Sequence, residues 1–242
     1  MGDVIFAKTR HTYDSYTDFW KLVELAGYHQ CYVDEIDTST DNTYIVSPIN
    51  GEYRPHIDNQ KEERKAKLIW WNLERGTEDF SDYSDEIWAS DRAFATASGA
   101  TFVPVGSNRA LKPNQEVKSS LYDYCHLSYV SHRRDNIYGN LTKRGLTQGP
   151  NSWGDERHRV LLQSRFLLNV HQDGQNTIEP LRFALACAYG IPILSEECDD
   201  PYPYHDVATF VPYSKLVQRA VDFIGTASFI PVDFKEEVDK VL

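Results

Sequence analysis

The hydrophobic and polar positions in the C-terminal half of the chain follow the pattern of a strand, a helix and a second strand. Residues 166–170, FLLNV, form a short apolar run that is typical of a parallel strand buried on both faces. Apolar and small residues then recur at helical spacing over 181–188, and Gly190 allows the left-handed turn that ends a helix. Residues 191–194, IPIL, return as a strand. The pattern predicts one βαβ unit.

The start of this predicted helix carries the first candidate for chemistry. Asn176 or Thr177 is predicted to cap the helix, and Pro180 lies where a missing N–H costs nothing. Glu179 therefore lies at the edge of the sheet where open α/β folds bind ligands. A first-turn glutamate can simply stabilise the positive end of a helix, by ~0.3–1 kcal/mol. It could also bind a ribose diol, with the free N–H groups of the helix start near a diphosphate.

Strand and helix signals alternate along the rest of the chain. Further strands are predicted at 4–7, 44–46, 68–72, 86–89, 102–105, 124–130 and 209–211. Further helices are predicted at 16–26, 92–98, 134–144, 155–164, 215–224 and 235–242. This alternation predicts parallel sheets with helical crossovers. Because residues 106–120 are polar and read as a linker, we expect two Rossmann-like domains, 1–110 and 111–242.

Composition and charge narrow the class of protein. The chain has 242 residues and is 41% hydrophobic, which is enough for a substantial core. Its formal charge of −11 argues against a general nucleic-acid scaffold, although a local basic cleft stays open. No apolar run has the length of a membrane span and the start lacks a signal-peptide pattern, so we expect no integral membrane segment and a cytoplasmic location. The four cysteines lack CxxC spacing and are expected to be free thiols.

Several familiar catalytic signatures are absent from the sequence. There is no Walker loop, no GxGxxG after the first strand, no GxSxG elbow and no HExxH. No Asp-x-Asp occurs, which removes the usual mark of metal-dependent sugar transfer, and the histidines show no ligand-like spacing. We therefore expect no metal site.

Two arginines follow a predicted strand at the start of a predicted helix. Cations are unfavourable at a helix N-terminus unless an anion joins them, so Ser131, Arg133 and Arg134 suggest a phosphate partner. Alternatively the arginines face solvent or pair with Asp135 or Glu156.

Other candidates lie in loops and at strand ends. Trp153 could lie against a flat base or sugar, or belong to a core or interface. His171 ends its strand, where it is either a satisfied histidine or part of a site with Gln172. His11 follows the first strand and is a possible general base. Arg182, within the predicted helix, is interpreted as a surface or structural residue.

The stretch from 164 to 196 resembles the donor-binding domain of a GT-B glycosyltransferase. In the retaining branch of that superfamily, two glutamates separated by seven residues precede a helix ending in glycine and a strand that begins with proline. Here the second glutamate, which holds the donor ribose, maps onto Glu179. The first maps onto His171, which departs from the family, and Arg133 or Arg134 is the nearest match for the basic pair that binds the diphosphate.

The resemblance implies an α/β fold of two facing Rossmann-like domains in a compact GT-B form. It implies a glycosyltransferase, hexosyl- or pentosyl-, that uses a nucleotide-diphosphate sugar as substrate and needs no cofactor and no obligatory metal. His171 and Gln172 would line the sugar site and His11 would lie near an acceptor held mainly by the N-terminal half. That acceptor is a glycan, a small molecule or modified DNA.

Two other functions stay open from the sequence. One is transfer of sugar to a hydroxymethylated base in DNA, for which a basic rim would be needed. Its candidates are Arg10, Arg54, Arg75, Arg92 and Arg109. The other is a non-catalytic nucleotide-sugar or glycan-binding module, which the histidine at position 171 in place of an acid would suit.

Overall fold

The computed structural model describes residues 2–10, 16–47, 64–73, 83–113, 119–223, 225 and 232–242. The chain forms two compact units. The N-terminal unit comprises Met1–Val105 together with Phe234–Leu242, and the C-terminal unit comprises Gly106–Asp233. The sequence-based division lay at 110/111, and it assigned the last nine residues to the C-terminal domain.

A six-stranded parallel sheet forms the N-terminal unit, in the order β2-β1-β3-β4-β5-β6. Its strands are β1 Val4–Lys8, β2 His29–Tyr32, β3 Thr43–Val46, β4 Lys67–Asn72, β5 Glu86–Ala89 and β6 Thr101–Phe102. Its helices are α1 Thr17–Leu25, α2 Arg92–Ser98 and α7 Phe234–Asp239. An aromatic cluster of Phe6, Phe19, Trp71 and Phe234 forms the core between β1, α1, β4 and α7.

The C-terminal unit contains a four-stranded parallel sheet in the order β10-β9-β8-β7. Its strands are β7 Tyr122–Cys125, β8 Ser164–Asn169, β9 Ile193–Glu196 and β10 Ala208–Val211. Its helices are α3 His132–Lys143, α4 Gly154–Leu162, α5 Pro180–Tyr189 and α6 Leu216–Val221. Alternate residues of β8 pack into a buried cluster with α3 and α6, so the apolar run is covered as its pattern predicts.

The structure corrects several sequence-based boundaries. The strand predicted at 124–130 ends at Cys125, and the residues after it form a loop in which the side chains of His126 and Ser128 bond to each other. The strand predicted at 102–105 is only Thr101–Phe102, because Pro104 has no N–H to donate. Strand β2, with the sequence HQCY, lacks the apolar pattern that would have predicted it.

The cap of α5 also differs from its prediction. Glu179, and neither Asn176 nor Thr177, occupies the N-cap position, and no side chain caps the helix. Asn176 donates its amide to Asp199 instead, at 2.5 Å. At the other end, Gly190 has a φ of 68°, as predicted for a helix-ending glycine.

Two findings concern the cysteines and the membrane-spanning segments considered in the sequence. All four cysteines are free, and Cys125 and Cys187 are buried. In the described part of the chain, no helix has the length and apolar character needed to cross a membrane.

Two glycines, one within α3 and one just after it, provide a test of the backbone geometry. Gly145 follows the helix with a φ of 85°, Gly139 lies inside it without a positive φ, and an added Cβ would meet no atom within 4 Å at either position. We expect Gly145→Ala to destabilise the C-terminal unit by ~1–2 kcal/mol, because a Cβ is unfavourable in the left-handed region. Gly139→Ala should stabilise it by ~0.5–1 kcal/mol. Urea unfolding measures both, and shifts of the same sign would contradict the assignment.

Candidate functional site

Charged side chains converge at the carboxyl edge of the C-terminal sheet, where β8 and β9 end and α3 and α5 begin. We call them the arginine–glutamate cluster; its members are Arg133, Arg134, His171, Glu179, Arg182 and Glu196. The parallel register pairs Asn169 with Ser195, so the carboxyl ends of the two strands lie side by side. The alternation of strands and helices thus brings together residues separated by up to 63 positions in the sequence.

Glu179 is the centre of the cluster. Its Oε2 accepts a hydrogen bond from Asn169 Nδ2 at 2.8 Å and lies 3.2 Å from His171 Nδ1. Its Oε1 accepts from Arg182 Nη1 at 3.0 Å and lies 3.6 Å from Arg134 Nη2. Both oxygens of this buried carboxylate are therefore engaged by side chains of the same unit.

Electrostatics keep Glu179 ionised despite its burial. Burial alone would raise the pKa of the carboxyl, but Arg182, His171 and Asn169 together outweigh it, so the pKa lies below its ordinary value. The buried Glu179 carboxylate has exchanged its water for these partners. Removing the carboxylate would leave Arg134 as an unpaired buried charge. Loss of one partner from such a pair typically costs ~3–5 kcal/mol.

His171 is held at three points. Its backbone N–H donates to Glu196 Oε2 at 3.1 Å, its Nδ1 faces Glu179, and its Nε2 lies 3.1 Å from the carbonyl oxygen of Glu197. Burial lowers the pKa of the imidazole, but Glu179, Glu196 and the Glu197 carbonyl raise it more strongly, so the pKa lies above its ordinary value. Each ring nitrogen faces an acceptor, which is the environment of a protonated imidazolium.

The two neighbouring arginines occupy different environments. The Arg134 side chain is 2% exposed, and its Nε and Nη1 donate to the carbonyls of Val170 and Tyr129 at 2.9 and 3.0 Å. The Arg133 side chain is 31% exposed. Sequence analysis treated them as a pair, but only Arg133 has a guanidinium that a ligand can approach.

Arg133 is fixed by contacts that the sequence did not reveal. Its Nη2 pairs with Glu196, and its guanidinium lies over the Tyr213 ring at 3.8 Å from the centroid. The Tyr213 hydroxyl in turn donates to the Arg133 carbonyl oxygen at 2.9 Å. Arg133 Nε is buried without a hydrogen-bond partner. The side chain is thus oriented in advance and keeps an unused donor.

The balance of charge in the cluster favours an anion. Three arginines and a histidine with a raised pKa face two glutamates, so this group of described residues is net positive. Helices α3 and α5 both begin here and add the positive ends of their dipoles. Arg182, interpreted from the sequence as a surface or structural residue, belongs to the cluster.

The remaining predicted residues lie around this cluster or outside the described part. The Ser131 hydroxyl accepts a hydrogen bond from the Arg134 backbone N–H at 3.4 Å and so caps α3. Gln172 is exposed in the loop after β8. Trp153 is partly buried, with the Tyr129 ring at 5.2 Å and the Arg157 guanidinium over its face at 4.2 Å. His11 lies outside the described residues.

His126 is a buried residue of the site that sequence analysis missed. It directly follows β7, stacks on Tyr138 at 4.4 Å, and bonds through Nδ1 to Ser128 and through Nε2 to Gln148. Burial, and then the charges of Arg182 and Arg134, lower the pKa of His126 to about 4, so the ring is neutral. The sequence concealed this position, because the strand predicted at 124–130 placed His126 within the strand and not directly after it.

The arginine rim considered for DNA binding is only partly described. Arg10 donates to Asp34 at 2.7 Å and to Glu35 at 3.1 Å. Arg92 lies in the N-terminal unit and Arg109 in the C-terminal unit, while Arg54 and Arg75 lie outside the described residues. In the part of the chain that is described, no group of three or more His, Cys, Asp or Glu residues is arranged to hold a metal ion.

Comparison with known proteins identifies the fold. No family model matches the sequence. A glycosyltransferase involved in avilamycin A biosynthesis matches 98% of this chain and 92% of its own, with a TM-score of 0.53 and 8% identity. An alpha1,3-fucosyltransferase matches 98% of this chain and 89% of its own, with a TM-score of 0.52 and 12% identity. These likenesses confirm the predicted α/β fold of GT-B glycosyltransferases, with its Rossmann-like units.

A sequence relative also exists among curated proteins. An uncharacterized protein of Acanthamoeba polyphaga mimivirus is 26% identical over 128 residues, which cover 50% of this chain and 42% of the relative. The match therefore spans less than half the length of that relative.

The His171–Glu179 pair predicts a specific dependence of stability on pH. Because the pKa of His171 is raised above its ordinary value of 6.5, its contribution is complete below that pH and is lost as pH rises through the folded-state pKa. The pKa of Glu179 is lowered from 4.5, so its contribution is lost only as pH falls below that value. We expect the free-energy difference between wild type and His171→Gln to be largest at pH 5–6.5 and to shrink toward pH 9.

Urea titrations at each pH measure this difference for the C-terminal unit. His205→Gln is the control, since that histidine is exposed and its nearest carboxylate is the exposed side chain of its neighbour Asp206. A His171→Gln difference that is flat or grows above pH 6.5 would contradict a charged imidazolium.

Proposed function

We propose that the protein is a glycosyltransferase that moves a sugar from a nucleotide-diphosphate donor to an acceptor. The GT-B fold supports the reaction class. The observation that carries the proposal is the partly exposed, pre-oriented Arg133 at the carboxyl edge of the C-terminal sheet. A partly exposed guanidinium that pairs with one carboxylate is suited to a phosphate oxygen.

In this proposal the arginines have separate roles. Arg133 and the less exposed Arg182 contact the donor diphosphate. The buried Arg134 does not reach the ligand and instead balances the charge of Glu179. Ser131 contributes by capping the helix that carries them. Gln172 lies in the exposed loop after β8 and would contact the sugar, and Trp153 would contact the base or sugar.

Glu179 and His171 hold the other side chains of the cluster in position. Glu179 orients Arg182 and Arg134 through its Oε1, and His171 holds the carboxylate through Oε2. The ribose contact proposed for Glu179 then requires the sugar hydroxyls to replace one of these partners. His171 would be a positioning residue, because both ring nitrogens already face acceptors.

The chemical step in this proposal depends on charge neutralisation. Breaking the bond between the sugar and the diphosphate leaves a further negative charge on the departing phosphate, and fixed cations stabilise that charge most in the transition state. Arg133, Arg182 and the start of α5 supply such positive charge without a metal ion. His11 remains the proposed base near the acceptor.

Nucleoside diphosphates should stabilise the native protein. A ligand present at 100 times its dissociation constant adds ~2.7 kcal/mol, so a panel of nucleoside diphosphates should raise Tm for one base more than for the others. Arg133→Ala should weaken that binding by roughly 10- to 100-fold, because a charge-assisted hydrogen bond contributes ~1.5–3 kcal/mol. Calorimetric titration measures the affinity.

Arg144→Ala is the matched control for this variant. Arg144 ends the same helix, is exposed, and bonds to Gln218 at 3.3 Å, away from the cluster. Equal affinity losses in the two variants would mean a nonspecific charge effect, and an unchanged Arg133→Ala would remove the diphosphate assignment.

Turnover distinguishes an enzyme from a binding module. With the donor that carries the preferred base, we expect slow release of nucleoside diphosphate to water and faster release with a suitable acceptor, and no loss of rate in EDTA. Arg133→Ala should reduce this rate by at least 10-fold. Tight donor binding with no release on any glycan, small molecule or hydroxymethylated DNA would contradict the enzymatic proposal and leave a binding module.

A further inference from the structure

A second cationic position lies at the carboxyl end of β1 in the N-terminal unit. Lys8 is the last residue of this strand and is half-buried. Its ammonium donates to Gln30 Oε1 at 3.0 Å and lies 5.6 and 5.7 Å from the ring centroids of Trp20 and Tyr32. The charge is therefore enclosed by two aromatic rings at an edge of the kind where parallel sheets bind ligands.

Among the described residues, no carboxylate lies within ion-pair distance of Lys8. Its neighbour Arg10 is paired with Asp34 and Glu35, and Lys21 on α1 is paired with Glu24. The chain as a whole has a formal charge of −11, so carboxylates are abundant. A half-buried ammonium that uses one of its three N–H groups for a neutral amide is therefore unusual in this sequence.

The indole of Trp20 provides an independent observation at the same place. Trp20 is 7% exposed, and its Nε1 is buried with no hydrogen-bond partner. Its backbone carbonyl accepts from Gln30 Nε2 at 3.2 Å, so Gln30 joins Trp20 to Lys8. An unsatisfied buried donor destabilises the protein, and a ligand acceptor would remove that cost.

We infer that the carboxyl end of β1 binds a carboxylate or phosphate group of a small ligand, with Lys8 as its charge partner and Trp20 Nε1 as a second donor. Ammonium and indole groups only donate, so the ligand atoms they meet must accept. Carboxylates and phosphates present only acceptors, whereas a hydroxyl would bring a donor of its own. Cation–π contacts hold the ammonium in place and do not use its remaining N–H groups.

This site gives the proposed enzyme an acidic acceptor. That reading rests on the proposed glycosyltransferase function, because the ligand is the acceptor only if the protein transfers a sugar. Binding of the anionic group itself does not depend on transfer. The two statements can therefore fail separately.

Three matched sugars test the site in the absence of donor. Glucose, glucuronate and glucose 6-phosphate differ at C6 by a hydroxyl, a carboxylate and a phosphate, and calorimetric or ligand-observed NMR titration of the full chain compares them. We expect one or both anionic sugars to bind at least 10-fold more tightly than glucose, and the identity of the tighter one distinguishes a carboxylate from a phosphate. Equal binding of all three, or no binding of any, overturns the inference.

Variants assign the binding to this site. Lys8→Met keeps an unbranched side chain between the two rings and removes the charge, so it should lose at least 10-fold in affinity for the anionic sugar. Lys8→Arg should retain binding, and Trp20→Phe, which keeps an aromatic ring but removes the N–H, should weaken it. Lys21→Met is the control, because Lys21 is exposed and already paired. Wild-type affinity in Lys8→Met overturns the inference.

Arg133→Ala separates the two proposals. If the anionic sugars bind at Lys8, this variant should bind them as the wild type does, even where it has lost the nucleoside diphosphate. Loss of the sugar in Arg133→Ala together with normal binding in Lys8→Met would place it at the arginine–glutamate cluster and overturn the inference. Binding at Lys8 in a protein that shows no donor turnover would support the anion site and contradict only the acceptor role.

Discussion

The arrangement of the C-terminal site depends on one buried carboxylate. Glu179 stays ionised although it has left water, because Arg182 and Arg134 lie on one of its oxygens and His171 and Asn169 on the other. Buried charges are tolerated only when such partners are present. Glu179 therefore links the ends of β8, α3 and α5, and the conformation of each element is coupled to the others through it.

This constraint explains why two consecutive arginines differ. Arg134 is committed to the interior, where it bonds to two carbonyls and balances Glu179. Arg133, one position earlier on α3, is partly exposed, pairs with Glu196 and stacks on Tyr213. One arginine is part of the buried interior of the cluster, and the other is partly exposed at its edge. A site arranged before the ligand arrives loses less conformational entropy on binding.

The sequence predicted the elements better than the contacts. The βαβ unit around 166–196 follows from apolar runs, helical spacing and a terminal glycine, which are local signals, and the structure contains it. The paired environment of Glu179 was not predictable, because its partners lie on different elements and Arg182 looked like an ordinary helix residue. The loop that begins at His126 was predicted as strand, because its apolar residues continue the strand pattern. The local bond between the His126 and Ser128 side chains leaves no signal in the sequence. Local sequence patterns were enough to predict the fold. The site could not be predicted in this way, because it forms from contacts between residues far apart in the sequence.

The two candidate sites share one property, a cation that differs from the other cations of the chain in its pairing. A chain with a formal charge of −11 would be expected to neutralise its cations, and Arg10 and Lys21 follow that expectation. Lys8 does not, and Arg133 keeps an unused donor beside its single carboxylate. Both lie at the carboxyl edge of the parallel sheet in their own unit, where strand ends and helix starts converge. In the two proposals an anionic ligand group binds at each edge, and its acceptor atoms would use the donors that the protein leaves available there.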